Sequence, residues 1–289
     1  MSDFSAMSVA GDGRRDLALD VFAPDRPNGV AAILLHGGGW AMGHRATMHG
    51  YARLLAAAGV TAVAAEYRLL GEAPFPAQLD DVRDAVRWVK ANAGELGVDP
   101  AKVALIGFSA GAHLALLAAG TQDGSGHERA LGDSGGAEVA AVVSFFAPAR
   151  LDAAPAALER PPLSALVAGG GVARAREISP IRYVNPNFPT TFIVGGMADY
   201  MQPLAAGLDL LNAFVAAGAE VEFHYLHSQV HEFPSTPGMS PGVMDSVAFF
   251  LRRTLLDRET LAVEAREQNP FARASSPEEF GRMMAGAPR

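Results

Sequence analysis

Gly107-Phe108-Ser109-Ala110-Gly111 decides how the rest of this chain is read. Just upstream, 102–106 reads K-V-A-L-I, short, apolar and β-branched. Just downstream, 110–119 reads A-G-A-H-L-A-L-L-A-A, built from strong helix formers. A serine between a strand and a helix occupies a tight turn that holds its hydroxyl above the sheet edge in a strained backbone conformation. Glycines two residues to either side suit that turn, because side chains there would collide with the neighbouring strand and helix. This is the G-x-S-x-G pattern of a nucleophile elbow. The helix behind the serine also aims its first N–H groups and its positive dipole end at the reacting centre. Five letters alone are a weak signal. The strand before, the helix after and the partners found elsewhere carry the reading.

Outward from the elbow, strand-like and helix-like runs alternate. Residues 5–9 and 15–22 flank Gly11-Asp12-Gly13 as a hairpin would, and Leu17, Leu19 and Val21 give the second arm the alternation of a half-buried strand. The stretch 24–29 reads as a turn and 31–35 as a buried strand. A helix over 47–58 is closed by Gly59, and a strand follows over 60–65. Residues 79–93 form a strong helix with Val82, Ala85, Val86 and Val89 on one face. Asp99-Pro100 reads as a turn into the elbow strand. Strands at 139–146 and 191–194, a helix at 204–217 closed by Gly218, a strand at 220–226 and a helix at 242–256 complete the series. This alternation predicts an α/β fold with a mostly parallel, doubly wound sheet in one domain, residues 1–257.

Two segments fall outside the alternation. Residues 149–188 are rich in Ala, Pro and Gly and lie between two strands; they read as a lid or pocket wall, or else as a solvated crossover. Residues 258–289 form a C-terminal extension, helical or partly disordered. There Ser276-Pro277-Glu278-Glu279 makes a good helix start, and Phe280, Met283 and Met284 make a small apolar stripe. Such a stripe docks on this domain or on a second copy as a homo-oligomer contact, or else belongs to a frayed tail.

Composition bounds the rest. Of 289 residues 49% are hydrophobic and 19% charged, an ordinary globular balance with mean hydropathy +0.14. A net charge of -8 argues against nucleic-acid and anionic-membrane partners. The absence of cysteine excludes a disulfide scaffold and thiolate metal sites. No stretch has the length of a membrane span and residues 1–20 lack a signal-peptide core, so a cytoplasmic location is the default expectation.

A serine nucleophile needs a base, an acid to orient the base, and donors for the oxyanion. His36-Gly37-Gly38-Gly39-Trp40 ends a buried strand, and its glycines let backbone N–H groups turn inward, so Gly38, Gly39 and Ala110 are the expected oxyanion donors. A phosphate-cradling loop is the rival; the G-K-[ST] ending and the G-x-G-x-x-G spacing are both missing. His36 is expected to brace this loop. Asp199 lies on the loop beyond the 191–194 strand, on the edge where such sheets bind ligands, and is the expected acid; a helix cap is the plain alternative. His224, His227 and His231 compete as base. His224 falls inside a strand, and His231 lies deeper in the loop than His227, so His231 is favoured. No H-E-x-x-H is present, and a strand followed by a loop does not hold three histidines on one face, so no metal is expected. Trp40 and Phe108 are candidate pocket residues that could equally be core, and His113 reads as a packed core histidine.

Several runs together resemble a known family. They are H-G-G-G-W at 36–40, Glu66-Tyr67-Arg68-Leu69, F-P-A-Q-L-D-D-V at 75–82, G-F-S-A-G-A-H-L-A at 107–115, Ser179-Pro180, G-G-M-A-D at 195–199 and His231-Glu232-Phe233. Over roughly residues 5–255 the chain is similar to α/β-hydrolase esterases of the hormone-sensitive-lipase-like and acetyl-xylan-esterase/feruloyl-esterase-like (BD-FAE-type) groups, whose chain order Ser, Asp, His it shares. The resemblance implies an α/β-hydrolase fold with a short lid insertion and no large N-terminal cap. It implies a serine carboxylesterase acting on small-molecule esters without a cofactor, and with no cap long enough to shelter a fatty chain a short acyl group is expected. It also implies a structural ion pair between Arg68 and Asp80 or Asp81. An arylformamidase-type amide hydrolase and a non-catalytic hydrolase-fold binding protein are the alternatives. Phe108 stands where the lipase-like group carries Asp, Ala112 replaces a Gly, and Gln202 replaces an apolar residue beside the acid.

Overall fold

The computed structural model describes residues 5–9, 16–127 and 131–285. Eight strands run in chain order: β1 (Ser5–Val9), β2 (Leu17–Phe22), β3 (Gly29–Leu35), β4 (Thr61–Ala65), β5 (Val98–Phe108), β6 (Ala141–Phe145), β7 (Thr190–Gly196) and β8 (Val221–Leu226). The helices are α1 (His49–Ala57), α2 (Ala77–Ala91), α3 (Ala93–Leu96), α4 (Ala110–Gly120), α5 (Leu163–Leu166), α6 (Gly171–Glu177), α7 (Leu204–Ala217), α8 (Ser240–Leu255), α9 (Arg258–Gln268) and α10 (Pro277–Ala285). The strands form one sheet in the order β1-β2-β4-β3-β5-β6-β7-β8. The first two ladders, β1 to β2 and β2 to β4, are antiparallel, and every ladder from β4 through β8 is parallel. Among the described residues no helix is long and apolar enough to cross a membrane.

Period-two alternation divides the core between the sheet faces. Ala31, Ile33, Leu35, Val103 and Leu105 pack with α2, α4 and α7, while Val30, Ala32, Leu34, Ala104 and Ile106 pack with α1 and α8. Both faces are covered, as parallel strands require. β3 connects to β4 on one side, whereas β5, its other neighbour, connects to β6 on the opposite side. The chain therefore changes direction between β3 and β5, and the crevice at their carboxyl ends is where such sheets hold ligands. The loops carrying Gly38 and Ser109 start side by side there, because Leu35 pairs with Gly107.

The expected α/β architecture is present, and two local readings change. β2 is buried on both faces, not one: Asp20 is 1% exposed and paired with Arg45 and His49, the latter at the start of α1. Asp99-Pro100 is extended backbone within β5, not a turn. The ladder slips between Gly29 and Ala31, so Pro100, which has no N–H to offer, lies outside its regular part. In the C-terminal extension, α9 is a helix with no buried residue, whose start is tied to the sheet edge by Arg258 on Glu220. The Gly11-Asp12-Gly13 turn lies outside the described residues, although β1 and β2 pair as its two arms. The ion pair resolves to Asp81: Arg68 Nε and Nη2 donate to its carboxylate at 2.6–3.0 Å, and the Arg68 N–H adds a bond of 2.8 Å. This fork fastens α2 to the segment leaving β4, while Asp80 approaches the buried Arg83 at 3.7 Å.

Candidate active site

Ser109 stands between β5 and α4 with φ 51 and ψ -113, a backbone conformation that a residue with a Cβ adopts only under constraint. The constraint comes from the adjoining helix and strand, which the two glycines allow to approach. A Cβ on Gly107 would lie 2.4 Å from the backbone N of Ala112 in the helix, and one on Gly111 would lie 2.3 Å from the Leu35 carbonyl oxygen of β3. Strand and helix thus close on the turn from opposite sides, as the spacing predicts.

The other groups arrive on loops at the same edge. His231 Nε2 is 3.1 Å from Ser109 Oγ, and His231 Nδ1 is 2.7 Å from Asp199 Oδ2. Asp199 is 3% exposed, and its other oxygen, Oδ1, accepts the backbone N–H groups of Met201 and Gln202 at 2.8 and 2.9 Å. That anchor settles the Gln202 departure, since the backbone and not the side chain at 202 holds the acid. A carboxylate on Nδ1–H leaves Nε2 free to accept from the serine hydroxyl, so the three groups form one proton path. His227 is exposed and makes none of these contacts, and the His224 ring lies over Phe192 at 6.5 Å.

Across the crevice, Gly38 has φ 115 and Gly39 φ 59. The Gly38 carbonyl accepts from Ala41 and Met42 in a tight turn. Among the described residues, no acceptor is recorded for the N–H groups of Gly38 or Gly39. These amides and that of Ala110, at the first position of α4, can therefore receive an oxyanion. The loop is braced beneath: Tyr67 donates to the His36 carbonyl at 2.8 Å, its ring stacks on the His36 ring, and His36 Nδ1 donates to the Gly37 carbonyl at 2.7 Å. Burial pushes the His36 imidazole below its ordinary pKa, which suits a brace. Alanine at Gly38 would place a Cβ 2.1 Å from the Met42 carbonyl oxygen on a left-handed φ. Gly38→Ala is expected to lower kcat for an aryl ester by about 10²–10³-fold with little change in KM, as when one oxyanion donor is removed. Steady-state kinetics on the folded variant checks this, and a kcat within threefold of wild type would remove Gly38 from the donor set.

Trp40 and Phe108, candidates for the pocket wall, are core. Phe108 is 0% exposed and stacked between Tyr51 and Phe145, at 4.8 and 4.5 Å. As the last residue of β5 it shares the parity of Ala104 and Ile106 and so faces α1 and α8. Trp40 is 3% exposed, and its indole N–H donates inward to His113. Two site neighbours escape the sequence reading. Phe146, with φ 41, directly follows β6 and sets its ring 4.5 Å from that of His231; its position just beyond a strand's carboxyl end is the available signal. Glu232, with φ 59, places its carboxylate against Gly37, where an added Cβ would come within 2.7 Å of Oε1. Burial chiefly, and the Asp199 charge next, push the Glu232 carboxyl above its usual range, with His231 opposing. Among the described residues no group of three or more His, Cys, Asp or Glu is placed to hold a metal ion.

A doubly wound sheet with a serine elbow at its switch point, a histidine and an anchored aspartate defines an α/β-hydrolase. The BD-FAE family model matches residues 19–214, more than half of the chain, and the protein belongs to that family. Carboxylesterase NlhH of Mycobacterium tuberculosis is 40% identical over 115 residues, which is 39% of this chain and 36% of NlhH. Esterase LipC of the same organism is 29% identical over 262 residues, 85% of this chain and 64% of LipC. The chain thus spans between about one third and just under two thirds of these relatives. The apo form of Thermogutta terrifontis esterase 2 superposes with TM-score 0.72 at 24% identity, over 89% of this chain and 95% of that one, which shows a shared fold.

Proposed function

We propose that this chain is a serine carboxylesterase that hydrolyses short-acyl esters through an acyl-enzyme. The observation that carries the reading is the continuous path from Asp199 through His231 to Ser109 Oγ, with steps of 2.7 and 3.1 Å, on a strained elbow facing free backbone amides. Ser109 Oγ attacks the ester carbonyl carbon while His231 Nε2 takes the hydroxyl proton. Asp199 holds the ring and stabilises the imidazolium. The N–H groups of Gly38, Gly39 and Ala110 receive the oxyanion, each contributing about 3 kcal/mol to the barrier reduction. Collapse of the tetrahedral adduct expels the alcohol, which takes the proton from His231. Water, deprotonated by the same ring, then releases the acid and restores Ser109.

The acyl side is read as short because residues 149–188 form only short helical turns that lie close over the oxyanion loop. Pro162 sits where a Cβ on Gly39 would meet its Cγ at 2.9 Å. Rates on p-nitrophenyl esters are expected to be highest for acetyl to butanoyl and to fall beyond. A steady rise from acetyl to dodecanoyl would sink the short-acyl reading. A faster rate on N-formylkynurenine than on any ester would replace it with formamide hydrolysis.

A further inference from the structure

His113 lies on α4 one helical turn beyond the nucleophile, and its N–H donates to the Ser109 carbonyl at 3.0 Å. Its side chain is fully buried, yet both ring nitrogens are used. Nδ1 is 3.3 Å from the indole Nε1 of Trp40, and Nε2 is 2.8 Å from the Ile178 carbonyl oxygen. An indole N–H can only donate and a carbonyl can only accept. Nδ1 must therefore be the bare nitrogen and Nε2 the protonated one, so a single neutral tautomer satisfies all three groups. Imidazolium would set one N–H against another, and burial pushes the pKa down to about 4, which keeps the ring neutral near pH 7.

The three groups belong to three separate segments. Trp40 directly follows Gly38 and Gly39, His113 lies in the first turn of α4, which Ser109 precedes, and Ile178 caps α6 within the 149–188 segment. Trp40 holds a left-handed φ of 58, uncommon for an aromatic residue, so the loop needs something to keep it there. Its carbonyl accepts from Leu70 on one side, and its ring meets His113 edge-on at 5.0 Å and 81° on the other.

Building on the esterase reading, we infer that His113 is a positioning residue for that reaction: its Nδ1 holds Trp40, and through Trp40 the Gly38 and Gly39 N–H groups, in register with Ser109. Its Nε2–H fastens the same assembly to the segment above the crevice. Oxyanion donors act on a charge that exists only beyond the ground state, so a loop set slightly wrong affects kcat and spares KM. A packing histidine would instead trade stability alone.

Two substitutions separate the two ring nitrogens. In His113→Asn the amide oxygen stands where Nδ1 stood and can accept from Trp40, but nothing reaches Ile178. In His113→Gln the terminal NH₂ stands where Nε2 stood and can donate to Ile178, while the indole loses its acceptor. The chain has two tryptophans, so its two indole N–H resonances are assigned with a Trp88→Phe variant. Against wild type, His113→Gln is expected to move the Trp40 resonance and lower kcat by about 30–100-fold with KM within threefold, the scale of an ångström-sized misplacement. His113→Asn is expected to keep the resonance near its place and lose less than about tenfold, the smaller share expected where the donor register survives. Trp40→Phe, which removes the donor and leaves His113 intact, supplies a second route if a histidine variant folds poorly. It is expected to match the His113→Gln loss and to add nothing to it in the double variant.

A His113→Gln protein with a displaced resonance and unchanged kcat would overturn the assignment, as would equal losses in the Asn and Gln variants that simply track their unfolding midpoints. A wild type that turns over no ester and takes no fluorophosphonate would instead overturn the esterase reading itself. An active wild type with an unaffected Gln variant removes only the role of His113.

Discussion

Replacing Ser109 by alanine is expected to lower hydrolysis of a short aryl ester by about 10⁶-fold, the cost of removing a triad nucleophile, and to leave the fold intact. The size follows from the geometry, because the variant keeps everything except the atom that bonds to the acyl carbon. The oxyanion amides and the His231–Asp199 pair still stand, but their effect is realised only on a tetrahedral adduct that no longer forms at Oγ. A residual rate about 10³–10⁴ above water is expected from those groups alone. The strain at φ 51 persists with alanine, since it belongs to the backbone and Cβ, so no large stability change accompanies the loss. Intact-mass analysis with a fluorophosphonate gives a second readout. One adduct should form on the wild type, map to Ser109 and be absent from the variant. An unchanged rate, or an adduct on another residue, would end the reading of this elbow as a nucleophile.

Asp199→Asn is expected to cost about 10⁴-fold in kcat, the loss seen when a triad histidine is held in the wrong tautomer. Asp199 Oδ1 already accepts two backbone N–H groups, from Met201 and Gln202. An asparagine would have to keep its carbonyl oxygen there, because turning its NH₂ toward two N–H donors leaves three donors facing one another. The NH₂ group is thereby forced to point at His231 Nδ1, which must then accept, and the ring proton moves to Nε2. Ser109 Oγ would then face an N–H instead of a base. The prediction is specific to that anchor. Asp199→Ala, which lets the ring rotate and choose its tautomer, should lose no more than the asparagine variant. Rates for both variants on one ester, with unfolding curves as controls, check the argument. An asparagine variant within tenfold of wild type would mean that His231 is oriented by something other than this carboxylate.

Much of this site was legible residue by residue. Ser109 was readable because the elbow is a steric device contained in five consecutive residues, and Gly107 and Gly111 make the contacts with α4 and β3 that the pattern demands. Asp199 and His231 were readable because loops after late strands must open on the sheet's carboxyl edge, and because His224 lies within strand parity while His231 lies beyond it. Legibility failed where one chemistry had two geometric outlets. Trp40 and Phe108 look alike as aromatic neighbours of catalytic groups. That both rings point into packed core, away from the crevice at the strand ends, is decided by α1, α2, α4 and α8 closing on the sheet faces. Asp99-Pro100 misleads for a related reason: proline marks a turn locally, but a register slip against β3 accommodates it as extended chain.

The alternation of strands and helices, the elbow, the glycine loop and the order of serine, aspartate and histidine are all written locally in the chain. Each of these rests on interactions spanning a few residues, such as side-chain periodicity, glycine sterics and strand-end position. Long-range packing sets which nitrogen of His231 faces Ser109, which oxygen of Asp199 is free for it, and that His113 joins Trp40 to Ile178. Those bonds connect groups 32 to 122 residues apart within the triad, and 65 and 73 residues apart around His113. Hydrogen bonds tolerate only a few tenths of an ångström. Such precision appears only once the parallel ladder has set the register of β3, β5 and β7 and the packed helices have fixed the loops above them.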